Sequence, residues 1–403
     1  VSQVKTDGLS SLAGLRVVEL GVWVAAPAAG ALLADWGAEV IKVEPPSGDP
    51  MRQAFGSLGI GQDFPNPAFA QDNRGKRSVV LDLRQPDPRR QFEALLGTAD
   101  VFLTNLRPDA LDSLGLEPAA TVDRHPRLVY CSVSGYGLRG EDRNRPAYDI
   151  GAFWARSGLS VQLADRDGVP LNARGGIGDH ISALAALAGL LAAVLEQRHT
   201  GRGRVVEVSL LRTGAYALGW DLSLQEVVGR VAKAEARETN QTPLMNCYRA
   251  ADGRWLFLTG LEADRHIAAV CRALDRPDLI DDPRFADASA IRRNRAEVIA
   301  VLDEILATQP RHVWAQRFDR EGVWWAPAQG PAEVLADPQL TANDGLLALP
   351  VEGDGPARRS VNGPVSFSDV PPGPAAPAPD LGQHTDDVLS ELAGRGDGPD
   401  PPD

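Results

Sequence analysis

The chain is poor in the residues that announce a chemistry on their own. Cysteine occurs three times in 403 residues, at Cys131, Cys247 and Cys271. That is too sparse for a disulfide framework or a CxxC metal pattern and fits a reducing, cytoplasmic home. The six histidines show no HxxxH or other metal spacing, so no metal is expected. No serine sits in a GxSxG elbow, which removes the usual serine-hydrolase arrangement. The turn Leu20-Gly-Val-Trp-Val-Ala-Ala-Pro has only Gly21 where GxGxxG is needed, so a nicotinamide or flavin enzyme is not expected. Lysine is scarce too, with only Lys5, Lys42, Lys76 and Lys233. The longest apolar run, Ile181 to Leu195, is shorter than the ~20 residues of a membrane span, and the first residues are polar. The expectation is a soluble protein with no membrane partner. A net charge of −13 would repel a polyanion, so nucleic acid is not an expected partner either.

What is present is an ordinary globular composition, 43% hydrophobic and 24% charged, long enough for two or three domains. Short apolar strands are predicted at 15–20, 39–44, 78–83, 101–105, 128–133 and 204–209. Helices fall between them, the longest a buried core helix from about His180 to Arg198. Such alternation predicts an α/β fold with a doubly wound parallel sheet over 1–212. From about Thr213 the character changes. A helical stretch leads to a predicted hairpin at 246–260 and further helices, so 213–330 reads as a linker helix and a small α+β domain. The Pro/Ala/Gly run 371–379 is extended, and 394–403 is expected to be a disordered tail.

Three constellations carry polar or small groups suited to a ligand. Val24, Ala25 and their alanine neighbours open the first helix. They allow either a close ligand approach or tight helix–sheet packing. Arg74, Lys76 and Arg77, in Asp72-Asn-Arg-Gly-Lys-Arg-Ser, and Asn105 with Arg107 lie at strand ends or turns; Asn105 and Arg107 fall at the carboxyl end of a strand, where open α/β sheets bind ligands, and only folding could bring the others to them. Lys42 and Arg52 belong to the same basic set. The stretch Asn172-Ala-Arg-Gly-Gly-Ile-Gly-Asp-His brings Gly176, Gly178 and Asp179 to the start of the core helix. Asp179 there is either a helix N-cap or a carboxylate nucleophile kept ionised by the helix end, with glycine N–H groups steadying an oxyanion. Trp23, Trp220, Trp324 and Trp325 either line an acyl pocket or pack in cores.

Read together, these segments resemble the family III CoA-transferases of the CaiB/BaiF type. That group contains formyl-CoA transferase, carnitine CoA-transferase and α-methylacyl-CoA racemase. The carrying residues are LAGLRVVELGVWVAAPAAGALLADWGAEVIKVEPPSGDPMR (12–52), NRGKRSVVLDL (73–83), ADVFLTNLRPDALDSLGL (99–116), LVYCSVSGYG (128–137), GIGDH (176–180) and RHTGRGRVVEVSLL (198–211). PLMNCYRAADGRW (243–255), EVLADPQL (333–340) and LGQHTDDVL (381–389) continue the match, which spans nearly the whole chain in order.

The resemblance implies a Rossmann-like large domain completed by a return segment, 331–393, and an interlocked dimer of ring-shaped subunits. It implies an acyl-CoA donor and a carboxylic acid acceptor as partners. Asp179 aligns with the catalytic nucleophile, which forms an aspartyl-acyl anhydride and then an aspartyl-CoA thioester. Tyr148 and Asp149 fall beside it. Positions that bind coenzyme A fall on Lys76, Arg77, Asn105 and Arg107, with Arg74 adjoining. Val24 stands where a transferase has an active-site glutamine, and Ser113 and Pro146 replace basic residues of some members. The last two bear on how the CoA phosphates are held; Val24, with no Gly-rich loop near the hairpin, disfavours oxalate and formate relative to a larger acyl or dicarboxylic acid. Racemases of the family have a histidine where this chain has Tyr148. A racemase or isomerase, and a non-catalytic acyl-CoA-binding protein, are the competing readings.

Overall fold

The computed structural model describes residues 10–59, 66–164, 168–231, 236–349, 358–368 and 376–395. Among them the chain forms two compact units. One comprises Val1–Leu163, Pro170–Val231 and Thr341–Asp403, the other Ala164–Val169 and Ala232–Leu340.

The first unit is built on a six-stranded sheet of β1 (Arg16–Leu20), β2 (Glu39–Glu44), β3 (Arg77–Val80), β4 (Val101–Thr104), β5 (Val129–Ser134) and β6 (Val205–Ser209). The strand order is 3-2-1-4-5-6 and every pairing is parallel. Helices α1 (Ala25–Asp35), α2 (Pro67–Asn73), α3 (Pro86–Gly97), α4 (Pro108–Ser113) and α5 (Pro118–Arg124) lie between strands. A π-helical turn at Ile150–Ala155, the short α6 (Leu159–Gln162) and the 24-residue α7 (Ile177–Thr200) then precede β6. Because parallel strands need crossovers, both sheet faces are covered, and β1, β4 and β5 are buried throughout while β3 and β6 at the edges are partly exposed. Val17, Val40, Leu103 and Cys131 face α1 and α7. Their neighbours Val18, Ile41, Phe102 and Tyr130 face the layer containing Phe92, Leu95 and Val388. Phe102 is fully buried, edge-on to both Phe92 and Tyr130.

α7 is not buried all round, as its apolar sequence suggests. Ala183, Ala186, Leu187 and Leu190 pack inward, whereas Ile177, Ile181, Leu184 and Leu195 are exposed. The helix is long and apolar enough to cross a bilayer by length and composition, yet this inward face belongs to the core. After β6 the helical stretch breaks into α8 (Leu210–Ala217) and α9 (Gly219–Val228). Both belong to the first unit, beyond the boundary at 212 that the change of composition suggests. The reason is packing. Gly214 lies so close to the Phe153 carbonyl and Ser157 that a Cβ there would sit 2.4 Å from the carbonyl oxygen.

The second unit contains the expected hairpin as β7 (Met245–Arg249) and β8 (Trp255–Thr259), antiparallel to each other. After α10 (Ala263–Ala273), α11 (Ala288–Arg293), α12 (Arg295–Leu306) and α13 (Arg311–Glu321), the strand β9 (Trp325–Pro327) adds to β8, also antiparallel. Tyr248, Leu256, Leu302, Trp314 and Phe318 form its core. α14 (Pro331–Leu335) and α15 (Pro338–Ala342) follow, and the chain rejoins the first unit at 341, not at 331.

The returning segment forms the hairpin of β10 (Leu346–Leu349) and β11 (Arg358–Val361) and the final helix α16 (Thr385–Arg395). It closes the open edge of β3. The His384 N–H donates to the Ser78 carbonyl at 2.9 Å, and the Val80 N–H donates to Thr385 Oγ1 at 3.0 Å. An edge strand covered in this way offers no free backbone for association. Residues 371–375 of the expected extended run, and 396–403 of the expected disordered tail, lie outside the described residues.

Truncating Phe102 to alanine removes a ring fully enclosed between both neighbours and should cost about 3–5 kcal/mol in urea unfolding. Glu391→Ala breaks pairs of Arg77 and Arg16 to a half-exposed carboxylate and should cost under about 1 kcal/mol. Equal losses in the two variants would contradict the two-faced core.

Candidate active site

The sheet reverses its order of growth between β1 and β4, and the loops at the carboxyl ends of these strands flank that crevice. Asn105, just past β4, binds the β1–α1 loop from the side. The Val22 N–H donates to its Oδ1 at 2.9 Å, and its Nδ2 donates to the Val22 carbonyl at 2.7 Å. The Trp23 N–H donates to Asp49 Oδ1 at 3.0 Å. Trp23 has φ of 63°, a backbone state rare for a bulky side chain, so these bonds hold the loop in a conformation the sequence does not favour.

Beneath the loop lies a buried ionic cluster. Lys42 Nζ contacts Glu19 at 3.0 Å and Asp49 at 2.9 Å, and donates to the Gly21 carbonyl at 2.8 Å. Lys76 Nζ contacts Glu19 at 2.7 Å and donates to Asn73 and to the Pro27 carbonyl. These lysine and acid side chains are wholly enclosed. Burial, reinforced by Lys42, pushes the Lys76 ammonium down to about 8 against the pull of Glu19. Burial alone would raise Glu19, but Lys76 and Lys42 hold it below its ordinary value. Losing one member of such a cluster strands a charge in the interior, at a typical cost of about 3–5 kcal/mol.

The cluster changes the assignment of the basic set. Lys76 does not reach solvent, so it acts on the β1–α1 loop and not on a phosphate. Arg74 is buried in a bidentate pair with Asp35. Arg77 is shared between Glu39 and Glu391, and Arg52 is tied to Glu44. Only Arg107 of the expected group is exposed, next to Asn105 at the carboxyl end of β4.

The α7 start resolves the two readings of Asp179. Helix N-terminal N–H groups need an acceptor, and here it comes from 27 residues upstream. Asp149 Oδ2 accepts from Gly176 N–H at 2.8 Å and from Gly178 N–H at 3.1 Å. The N-cap residue is Gly176, with φ of 94°. Asp149, itself buried, therefore caps the helix, and Asp179 on the first turn does not. Gly176 and Gly178 are positioning residues, their N–H groups already engaged instead of facing an oxyanion. A Cβ on Gly178 would also lie 2.4 Å from the Phe153 ring.

Asp179 is half-buried with no hydrogen bond to its carboxylate among the described residues. The expectation that the helix end keeps it ionised is overturned. Burial, with the nearby carboxylates of Asp149 and Asp72, pushes it up to about 7, opposed by His180.

Two further side chains adjoin this carboxylate without having been singled out by the sequence. His180 Nε2 lies 3.1 Å from Asp72 Oδ1, and Nδ1 lies 2.6 Å from the Gly176 carbonyl. The ring of Tyr148, 67% exposed, meets Trp23 edge-on at 5.9 Å between centroids. Val24 and Ala25, at the start of α1, are buried in the core and not lining open space. Trp220 is 91% exposed on α9. Asp72 and His180 stand at the edges of motifs visible in the sequence, but nothing in their spacing pairs residues so far apart.

A family model described as CoA-transferase family III matches residues 12–385. The chain is 31% identical over 382 residues to the (R)-2-hydroxy-4-methylpentanoate CoA-transferase of Clostridioides difficile, covering 94% of this chain and 95% of that one. It is 32% identical over 391 residues to the cinnamoyl-CoA:phenyllactate CoA-transferase of Clostridium sporogenes, covering 96% and 94%. Among solved structures, a CaiB/BaiF family protein from Brucella suis superposes with a TM-score of 0.84 at 27% identity, over 95% of this chain and 99% of that one.

A carboxyl group raised to about 7 in the folded state weakens the fold as it ionises. Relative stability is fully present below the unfolded value near 4 and is lost as pH rises through about 7. Asp179→Asn should therefore stabilise by roughly 1–2 kcal/mol at pH 8, a figure discounted for partial wetting, and by almost nothing at pH 4. Urea unfolding at both pH values checks this, and a destabilised variant at pH 8 would contradict the site's electrostatics.

Proposed function

From the premise that this chain belongs to CoA-transferase family III and is a CoA-transferase, we propose that Asp179 is the nucleophile through which coenzyme A passes between carboxylic acids. The observation that carries this reading is the release of Asp179 from helix capping, because Asp149 does that work. The Asp179 carboxylate attacks the donor thioester carbon. The C–S bond breaks, leaving a mixed anhydride and CoA thiolate. The thiolate attacks the aspartyl carbonyl, expelling the donor acid and forming an aspartyl-CoA thioester. The acceptor carboxylate attacks that thioester, and the thiolate released takes the new acyl group from the second anhydride, restoring Asp179. Three covalent intermediates, two anhydrides and one thioester, replace one hard exchange between unreactive carboxylates.

Arg107 and Asn105 are the residues of this unit left to meet the coenzyme A moiety. Asn105 does so while clamping the β1–α1 loop, and Lys76, Arg74 and Arg77 act through the fold. The Trp23–Tyr148 pair supplies an apolar edge next to the capped helix start. Together with the substrates that the two relatives' names carry, it supports branched or aryl 2-hydroxy acids as the substrate class, more bulky than oxalate or formate. Tyr148 stands where the racemases have histidine, and a phenol is a poor substitute for an imidazole in proton exchange, which favours transfer. The strand order 3-2-1-4-5-6 supports the Rossmann-like description. The free cysteines support a cytoplasmic home.

The same reading includes a homodimer of interlocked rings. α9 buries none of its residues, Trp220 on it and Tyr216 on α8 are almost fully exposed, and the outer stripe of α7 is apolar. Apolar surface of that extent marks an association face. Sedimentation is expected to give twice the mass of one chain, and a monomer at micromolar concentration would overturn the dimer.

The catalytic reading is tested by intact-protein mass after incubation with branched and aryl 2-hydroxyacyl-CoA donors, followed by hydroxylamine. A CoA adduct lost in Asp179→Asn, and a hydroxamate at residue 179, are expected. Since only the carboxylate attacks, kcat/KM should fall as pH drops through about 7. Adducts that persist in Asp179→Asn, or α-proton exchange without any adduct, would sink the proposal.

A further inference from the structure

His180 follows Asp179 directly on the first turn of α7, and both of its ring nitrogens are committed. Nδ1 is 2.6 Å from the Gly176 carbonyl, and Nε2 is 3.1 Å from Asp72 Oδ1. A carbonyl oxygen can only accept, and so can an ionised carboxylate. Two acceptors require two ring protons, and a doubly protonated imidazole carries a positive charge. Asp72 is buried on α2, and among the described residues its side chain bonds this ring alone, so the pairing is set by tertiary packing. The ring itself is 48% exposed on its side chain.

Resting on the reading of Asp179 as nucleophile, we propose that His180 is a positioning residue, a fixed imidazolium that keeps the adjacent Asp179 carboxylate available for attack near neutral pH. The charged groups facing this point are few. Asp149 lies beneath the helix start and Asp72 faces from α2, both negative. His180 is the single positive one among the groups that act on Asp179. Asp72, helped by the Gly176 carbonyl and Asp179, holds His180 above its ordinary value against burial, which lowers it. Asp72 thus has two opposed effects: its own charge disfavours an ionised Asp179, while the proton it fixes on His180 favours one. At Asp179 the charge of His180 outweighs that of Asp72, so the imidazolium is the useful member of the pair.

The test is the pH profile of kcat/KM for His180→Gln, whose amide can still bond Asp72 but carries no charge. The acid limb should move upward by about 0.7 unit, so that activity at pH 6 falls about fivefold below wild type while activity at pH 9 stays within about twofold. A second measurement does not depend on turnover. In Asp179→Asn, ¹⁵N shifts of the His180 ring at pH 7 should show both nitrogens protonated, and adding Asp72→Asn should lower the pH at which one proton leaves. A pH-independent loss in His180→Gln, or a neutral ring at pH 7, overturns the proposal. Failure of the nucleophile reading is distinguishable, since it shows as a CoA adduct that survives Asp179→Asn.

Discussion

Lys42 carries more of this structure than any other side chain. Its ammonium, in the interior of the sheet, contacts Glu19 of β1, Asp49 beyond β2 and the carbonyl of Gly21. Asp49 is thereby fixed with one oxygen on Lys42 and the other on the N–H groups of Trp23 and Met51. The crevice between β1 and β4 therefore has a rigid rim, despite a tryptophan backbone in a left-handed state. A buried ionic cluster is a poor source of net stability, because desolvation offsets most of the attraction. Its value here is positional. The same charges that cost solvation hold the loop from below while Asn105 holds it from the side.

A second set of charges governs the start of α7 by the opposite arrangement. The cap is supplied from outside the helix by Asp149, which leaves the first-turn carboxylate unbonded. An unbonded, half-buried aspartate beside two other carboxylates is unfavourable for the fold. It is also what a carboxylate nucleophile needs, since bonds to its oxygens would have to be broken before attack. Stability and reactivity are traded at this residue, with His180 moderating the conflict.

The residues that matter most for the proposed chemistry divide by what surrounds them. Glycines at 176 and 178 are required by the turn and by the Phe153 ring. Arginine at 74 and lysine at 76 are required by buried carboxylates. Trp23, Asn105, Arg107, Tyr148 and Asp179 are not fully enclosed, and these are the ones the proposed chemistry places against a substrate. Basic residues in a loop sequence are thus a poor guide to which of them bind a phosphate, because pairing with interior acids is invisible until the chain is folded.

Local pattern alone determined the alternating strands and helices, the parallel sheet, the hairpin at 246–260 and the position of Asp179 at a helix start. Each depends on periodicity, turn chemistry or a run of glycines within a few residues. The motif matches, in order along the chain, determined the family. Tertiary structure decided the rest. Asp149 reaches the helix start across 27 residues, Asp72 reaches His180 across 108, and Glu391 reaches Arg77 across 314. Which carboxylate caps, which stays free and which lysine is buried depend on such distant pairings, and on the desolvation that comes with them. A linear sequence specifies the partners' identities but not their proximity, and the ionisation of each group follows from proximity.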